Sequence, residues 1–238
     1  MKKHLPNAIT LLNLFFGCCA LACIFYGQFV AAFWWAFAAV MADYADGMAA
    51  RLLGVQSGLG KELDSLADMV SFGVVPGAVY YVLLARYFHP GEGSGLVYEA
   101  MPGFLVSVFS GLRLAKFNLD TRQTTGFIGL PTPSCTIFTL GIMLIYTFDS
   151  FGLRQLVSAP VFLYACVVAL SYLLNSEVPM FSLKFKSFTW KGNEVKFIFA
   201  VIALAMLFFT REASFSIVIL LYILFSVFQH LAKSSHSA

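Results

Sequence analysis

The chain has 238 residues, of which 60% are hydrophobic and only 11% are charged, and its formal net charge is +3. No soluble domain of this length needs so much apolar sequence, and the few basic residues form no stripe of the kind that binds nucleic acid. We therefore expect an all-α, polytopic membrane protein in which residues 1–238 form a single integral membrane domain.

The N-terminal stretch predicts an uncleaved membrane helix. Lys2 and Lys3 precede an apolar run that approaches the ~20 residues needed to cross a bilayer, and the run continues past the point at which a signal peptide would be cleaved. Asn7, Thr10 and Asn13 fall nearly on one face of this helix. One interpretation of this face is helix capping and hydrogen bonding to neighbouring helices, which polar side chains in membrane helices often form.

Four aspartates follow the second apolar run, and they are the strongest functional signal in the chain. Asp43 and Asp46 share one helix face, and Asp64 and Asp68 are spaced i, i+4 on a second helix. The short, glycine-rich linker between them predicts antiparallel neighbouring helices with their acidic ends together. Four like charges require a counter-charge, and Mg²⁺ or Mn²⁺ prefers oxygen ligands. The alternative is a solvated acidic helix end without a bound ion.

The pattern D-x2-D-G-x2-A-R-x8-G-x3-D-x3-D resembles the signature of the CDP-alcohol phosphotransferases. Every fixed position matches; the residues are Asp43, Asp46, Gly47, Ala50, Arg51, Gly60, Asp64 and Asp68. Within that family the chain is most similar to the bacterial membrane-integral phosphatidylserine synthases. This narrower resemblance rests on P-N-x2-T-x2-N at residues 6–13, R-L-A-K-F-N at 113–118 and F-I-G-L-P-T-P at 127–133. Lys116 stands where an arginine is commoner in those enzymes.

The resemblance implies a reaction and assigns roles to the motif. The hydroxyl group of L-serine would attack the β-phosphorus of CDP-diacylglycerol and release CMP. The metal ligands, for two Mg²⁺ or Mn²⁺ ions, would be Asp43, Asp46, Asp64 and Asp68. The nucleotide would be bound by Asp46, Gly47, Ala50, Arg51, Gly60 and Asp64. The family assigns the general base to Asp68, although the residues alone do not distinguish it from Asp64. The family also implies a homodimer.

Four further polar residues are candidates for contact with substrate. Arg113 and Lys116 are three residues apart at the end of the predicted fourth span, on the same membrane face as the aspartates. They are either interface anchors or the residues that bind the acceptor carboxylate or the lipid phosphate. Asn7 and Thr10 either form hydrogen bonds between helices or, by the resemblance, contact substrate.

Hydropathy predicts eight membrane spans. They are Ala8–Gly27, Phe29–Ala50, Ser65–Arg86, Gly95–Lys116, Thr132–Phe148, Leu156–Leu174, Val195–Thr210 and Ser214–Ala232. With both termini in the cytoplasm, only Arg86, Arg154 and Arg211 of the 15 basic residues fall outside. The protein is therefore expected in the cell inner membrane with the aspartates facing the cytoplasm. The loop 175–193, with interleaved lysines and aromatic residues, is expected to contact anionic lipid headgroups.

Two other functions fit parts of this pattern. An ion-coupled transporter would also place carboxylates in apolar segments, but here the carboxylates cluster at one membrane face and no inverted repeat is visible. Within the family, the acceptor would instead be that of a phosphatidylglycerophosphate, phosphatidylcholine or phosphatidylinositol-type synthase.

Overall fold

A computed structural model describes residues 4–55, 57–91, 95–120, 127–180 and 194–234, and these residues are helical almost throughout. The α-helices are α1 (His4–Phe25), α2 (Phe29–Leu53), α3 (Gly58–Asp68), α4 (Val75–Phe88), α5 (Leu105–Leu119), α6 (Thr132–Phe148), α7 (Arg154–Ser158), α8 (Pro160–Asn175), α9 (Glu194–Phe209) and α10 (Ser214–Ser234). The two strands, β1 (Phe127–Ile128) and β2 (Pro179–Met180), pair antiparallel. The predicted all-α class is confirmed.

Large apolar side chains cover the outer surface of the helices. Trp34, Val161 and Phe208, for example, are all well exposed. A soluble monomer rarely exposes so much apolar surface, whereas a helical bundle in a bilayer must. The exposed apolar belt therefore agrees with membrane association.

The apolar helices of the structure differ in length. Among the described residues, three helical segments are both long and apolar enough to cross a bilayer; they are His4–Phe25, Gly58–Phe88 and Arg211–Phe228. The apolar helices at Thr132–Phe148, Pro160–Asn175 and Phe197–Phe209 are shorter. The eight spans and the orientation stay predictions, because some of the basic residues that set the orientation lie outside the described residues. These are Lys2, Lys3, Arg122, Lys184, Lys186 and Lys191.

The predicted sixth span, Leu156–Leu174, is interrupted near its start. The structure has a short helix α7 and then α8, which begins at Pro160. Ala159 between them is extended, with φ −64° and ψ 130°. The ring of a proline disfavours the helical conformation of the preceding residue, so Pro160 ends α7 and starts a new helix.

A π-helical segment at Met69–Val74 joins α3 to α4. Its wide turn is seen in the bond from the Val75 N–H to the Val70 carbonyl, five residues back. Pro76 explains this geometry, because it has no N–H to donate to the Phe72 carbonyl in an α-helical register. The Thr136 hydroxyl lies 3.1 Å from that carbonyl and takes the place of the missing donor. The sequence patterns did not predict this segment.

Helix α1 is the central support of the aspartate motif. It packs against α2 and also contacts α3, and a Cβ on its Gly17 would overlap Ser71 of the π-helical segment. By contrast, α2 and α3 make few direct contacts with each other. The acidic ends of the two helices nevertheless lie together, as the sequence predicted, and α1 contacts both helices.

Candidate active site

Three carboxylates converge where α2 and α3 come together. One oxygen from each of Asp43, Asp64 and Asp68 lies within 4.8 Å of the other two. The i, i+4 spacing brings Asp64 and Asp68 to one face of α3, and α2 supplies Asp43 opposite them. All three are partly buried, so water screens their mutual repulsion only weakly. Such a donor set, made only of carboxylate oxygens, fits Mg²⁺ or Mn²⁺.

Asp46 has a different environment from the other three aspartates. It is 5% exposed, and its Oδ2 accepts a hydrogen bond of 2.6 Å from the Thr10 hydroxyl of α1. It does not belong to the group of three that lies within 4.8 Å. The expected four-aspartate cluster is therefore a cluster of three with Asp46 beside it, oriented by α1.

The polar face of α1 lies against the motif. Asn13 is fully buried, and its Nδ2 lies 3.5 Å from Oδ1 of Asp68. The backbone carbonyl of Asn13 accepts a 3.0 Å hydrogen bond from the Ser71 hydroxyl in the π-helical segment. The same face of α1 therefore contacts Asp46 through Thr10 and Asp68 through Asn13.

A cavity of about 650 Å³, called here the first cavity, opens beside the carboxylates. Its lining comes from the start of α1, from α2 and from residues 55–64. The lining residues are Pro6, Asn7, Thr10, Asp43, Asp46, Gly47, Ala50, Val55, Ser57, Gly58, Gly60, Lys61 and Asp64. Most of the predicted nucleotide-binding residues are among them, whereas Arg51 is not and lies exposed on the last turn of α2.

Two glycines of the motif affect the first cavity in different ways. A Cβ built on Gly47 would meet no other atom within 4 Å, so a side chain there would only fill cavity space. A Cβ on Gly60 would lie 3.1 Å from both the Asn7 Oδ1 and the Ser57 Oγ. Gly60 thus lets α1 approach α3 closely, while Gly47 keeps the cavity open.

Arg113 is buried near the end of α5. It is 7% exposed, its guanidinium carbon is 5.0 Å from the centre of the Phe117 ring, and its Nη1 lies 3.5 Å from the Thr132 hydroxyl. Its charge interacts with that of Asp68. A buried guanidinium held in this way is not a surface anchor. Lys116, one turn further along α5, is exposed.

A second cavity of about 350 Å³ lies at the ends of α5 and α8. The lining residues are Arg113, Lys116, Phe117, Leu119, Asp120, Ile128, Leu174, Asn175, Ser176 and Glu177. Arg113 is its link to the carboxylates, because Arg113 both lines this cavity and interacts with Asp68.

Hydrogen bonds join α3 to the end of α5. The Asn118 Nδ2 donates to the Ser65 hydroxyl at 2.7 Å, and the Ser65 hydroxyl donates to the Lys61 carbonyl at 3.1 Å. The Lys61 ammonium donates to the Asn118 carbonyl at 3.0 Å, which closes the circuit. We call this circuit the Lys61–Ser65–Asn118 link. It fixes the helix that carries Asp64 and Asp68 to the helix that carries Arg113.

Several of these residues were not predicted. Ser57 is the N-cap residue of α3, and its hydroxyl accepts a 3.0 Å hydrogen bond from the Gly60 N–H. A serine immediately before a helix is a recognisable capping signal. Lys61, Thr132 and Asn118 carry no such local signal. Their partners lie far away in the sequence, so only the folded chain brings them to the site.

The chain was also compared with known proteins. Residues 3–173 match the family model of the CDP-alcohol phosphatidyltransferases. A relative from Helicobacter pylori (strain ATCC 700392 / 26695) is 31% identical over 231 residues, which is 95% of this chain and 90% of the relative. A relative from Bacillus subtilis (strain 168) is 32% identical over 176 residues, which is 74% of this chain and 89% of the relative. Both relatives are described as CDP-diacylglycerol–serine O-phosphatidyltransferases.

Proposed function

Because this chain belongs to the CDP-alcohol phosphatidyltransferase family, we propose that it transfers the phosphatidyl group of CDP-diacylglycerol to the hydroxyl group of L-serine. The products are phosphatidylserine and CMP. The observation that carries the proposal is the convergence of Asp43, Asp64 and Asp68 within 4.8 Å beside a cavity of about 650 Å³. The descriptions of the relatives favour serine as the acceptor.

The first cavity is proposed to bind the CDP group. Gly47 leaves room for the nucleotide, and Asn7, Thr10 and Ala50 line the same space. Thr10 holds Asp46 in place beside this cavity through the 2.6 Å hydrogen bond. Arg51 is proposed to reach the nucleotide from the rim, since its long side chain is exposed next to the lining residue Ala50.

The aspartates are proposed to hold two divalent ions, with Asp43, Asp64 and Asp68 as the central ligands and Asp46 at the edge. Bound Mg²⁺ or Mn²⁺ would neutralise the pyrophosphate and stabilise CMP as it leaves. The carboxylates supply only oxygen donors, which is the ligand set that these ions prefer. No Ser–His or Cys–His pair accompanies the motif in the sequence, so direct in-line transfer is the simpler route.

Asp68 is proposed as the general base. It takes the proton from the serine hydroxyl as the oxygen bonds to the β-phosphorus, while the bond from that phosphorus to the bridging oxygen breaks and its electron pair leaves with CMP. Asn13 is proposed to orient its carboxylate through the 3.5 Å contact, and the charge of Arg113 stabilises its ionised form. Arg113 and Lys116 are proposed to bind the acceptor.

The membrane assignment completes the proposal. The chain is proposed to be a homodimer in the cell inner membrane, a single domain over residues 1–238, with the aspartates facing the cytoplasm. The distribution of lysine and arginine supports this orientation, and the family supports the dimer. A cytoplasmic site gives direct access to L-serine and lets CMP return to the nucleotide pool.

Product identification tests the acceptor. The purified chain should be supplied with CDP-diacylglycerol, Mg²⁺ and, in separate reactions, labelled L-serine, glycerol 3-phosphate, inositol or choline. We expect labelled lipid only with L-serine, formed in step with the release of CMP. A labelled lipid from another alcohol and none from serine would reject the serine assignment and leave the family chemistry intact.

Gly47→Ala is expected to weaken donor binding without lowering stability. The added methyl group meets no protein atom but occupies space in the first cavity that the nucleotide is proposed to fill. Crowding of a packed site by an added methyl group typically costs about 1–3 kcal/mol, which here would reduce the free energy of donor binding. The KM for CDP-diacylglycerol should therefore rise about tenfold, which corresponds to ~1.4 kcal/mol. The thermal midpoint should stay the same or rise, since alanine suits a helix better than glycine.

Gly111→Ala is the matched control for this change. Gly111 lies inside α5, lines neither cavity, and a Cβ there would lie 3.4 Å from the nearest atom, an ordinary contact. It should leave both KM values unchanged. If Gly47→Ala also leaves the donor KM unchanged, the nucleotide does not approach α2 at this position.

A further inference from the structure

Two cavities differ in their relation to the motif aspartates, and Asp68 lines neither of them. Asp43, Asp46 and Asp64 line the first cavity. Asp68 interacts with Arg113, and Arg113 lines the second cavity. In-line displacement requires the nucleophile to approach from the side opposite the leaving group. A donor in the first cavity and an acceptor arriving from the second would satisfy that requirement.

We propose that the second cavity binds the acceptor as an amino-acid zwitterion, with Glu177 as the residue that recognises its ammonium group. Arg113 and Lys116 bind its carboxylate on the other wall. This inference rests on the proposed function, because it names the residues that make an α-amino acid the acceptor. Glu177 is thereby a specificity-determining residue of the reaction.

The charges lining the second cavity support a zwitterion rather than a simple anion. Arg113 and Lys116 supply positive charge, while Glu177 and Asp120 supply negative charge within the same small space. A site for a lipid phosphate or another anion would gain nothing from carboxylates, which would repel it. An α-amino acid carries an ammonium group and a carboxylate on the same carbon atom. Its two charges are therefore complementary to the acidic and the basic residues that line this cavity.

The positive wall is held rigidly before any ligand binds. Arg113 is buried, its guanidinium lies over the Phe117 ring, and Thr132 contacts its Nη1. The Lys61–Ser65–Asn118 link fixes the same end of α5 to α3. Because the guanidinium is already ordered, little side-chain entropy is lost when a carboxylate binds to it.

The segment that carries Glu177 is fixed on both sides. The Ser176 hydroxyl donates to the Leu173 carbonyl at 2.9 Å, and the Val178 carbonyl accepts from the Gly129 N–H at 2.9 Å. Gly129 has φ +74°, and a Cβ there would lie 2.7 Å from the Leu174 carbonyl oxygen. Only glycine permits this close approach. The backbone at Glu177 is therefore ordered while its side chain remains exposed for a ligand.

The test compares acceptors that lack one charge. The full chain in lipid nanodiscs, with CDP-diacylglycerol and Mg²⁺, is assayed for CMP and lipid product with L-serine and with 3-hydroxypropionate, which lacks the ammonium group. Glu177→Gln should raise the KM for L-serine about tenfold or more, the range for a lost charge-assisted hydrogen bond. It should leave kcat/KM for 3-hydroxypropionate unchanged, so the preference for serine should collapse.

A matched control variant and an inhibition measurement on the parent protein complete the test. Glu99→Gln removes the same charge from an exposed residue that lines neither cavity, and it should change neither acceptor. In the parent protein, L-alanine has both charges and no hydroxyl group, so it should inhibit competitively against L-serine. Propionate and ethylamine, with one charge each, should inhibit far less. This second measurement decides the question if the Glu177 variant does not fold.

An unchanged serine KM in Glu177→Gln overturns the inference, as does inhibition by propionate equal to that by L-alanine. Either result would mean that the second cavity recognises at most an anion. If the parent protein instead makes lipid only from an alcohol without an ammonium group, the proposed function itself fails, and product identification shows this independently of any variant.

Discussion

Asp68→Asn is expected to lower turnover with L-serine by at least ~100-fold, the lower end of what a positioned general base contributes. An asparagine side chain keeps the size of aspartate but cannot accept the proton of the attacking hydroxyl. Because proton transfer affects the transition state and not ground-state binding, the KM for L-serine should change little. Initial rates measured over both substrate concentrations separate the two parameters.

Arg113→Ala gives the contrasting result. This variant should mainly raise the KM for L-serine, by a factor that corresponds to about 1.5–3 kcal/mol for a charge-assisted hydrogen bond.

Asp149→Asn is the matched control for Asp68→Asn, because Asp149 is exposed at the end of α6 and lines neither cavity. A variant Asp68→Asn with near-parental turnover would move the role of base to Asp64.

Removal of divalent ions is expected to abolish activity, and Mg²⁺ or Mn²⁺ should restore it. Without ions, repulsion among Asp43, Asp64 and Asp68 should also destabilise the fold, because the three oxygens lie within 4.8 Å in a partly buried site. In EDTA, Asp43→Asn should therefore melt at the same or a higher temperature than the parent. Added Mg²⁺ should raise the thermal midpoint of the parent by mass action and that of the variant much less.

This thermal readout does not depend on turnover, so it tests the metal site even if the acceptor is misassigned. Full activity in excess EDTA would reject the two-ion proposal. A parent protein whose thermal midpoint is unaffected by Mg²⁺ would show that the aspartates form a solvated acidic cluster and not a metal site.

The aspartate cluster could be predicted because it depends on the spacing of residues within two neighbouring segments of the chain. The spacing of Asp43, Asp46, Asp64 and Asp68 on two helices determines which side chains share a face, and the motif fixes the short linker between them. Thr10 and Asn13 could be placed on one face of α1 for the same reason. Which aspartate each of them contacts depends on how α1 packs, and that does not follow from helical periodicity.

The remaining parts of the site depend on long-range packing. Lys61 and Asn118 are separated by 57 positions and meet only because α3 and α5 lie side by side. The short linker explains why the acidic ends of α2 and α3 lie together, but it does not determine which other helix contacts both of them. Here α1 contacts both helices, and the first cavity lies beside it.

The π-helical segment between Asp68 and Pro76 limits how the chain can change in length during evolution. A π-turn holds one residue more than an α-turn, so a single deletion here can be absorbed by a return to α-helical register, whereas a further deletion would rotate α3 relative to α4 by about 100°. The face that carries Asp64 and Asp68 would then turn away from Asp43, although every residue of the motif was retained. One deletion in this segment can thus be tolerated through loss of the π-turn, whereas any further change in its length must be compensated within the same helix.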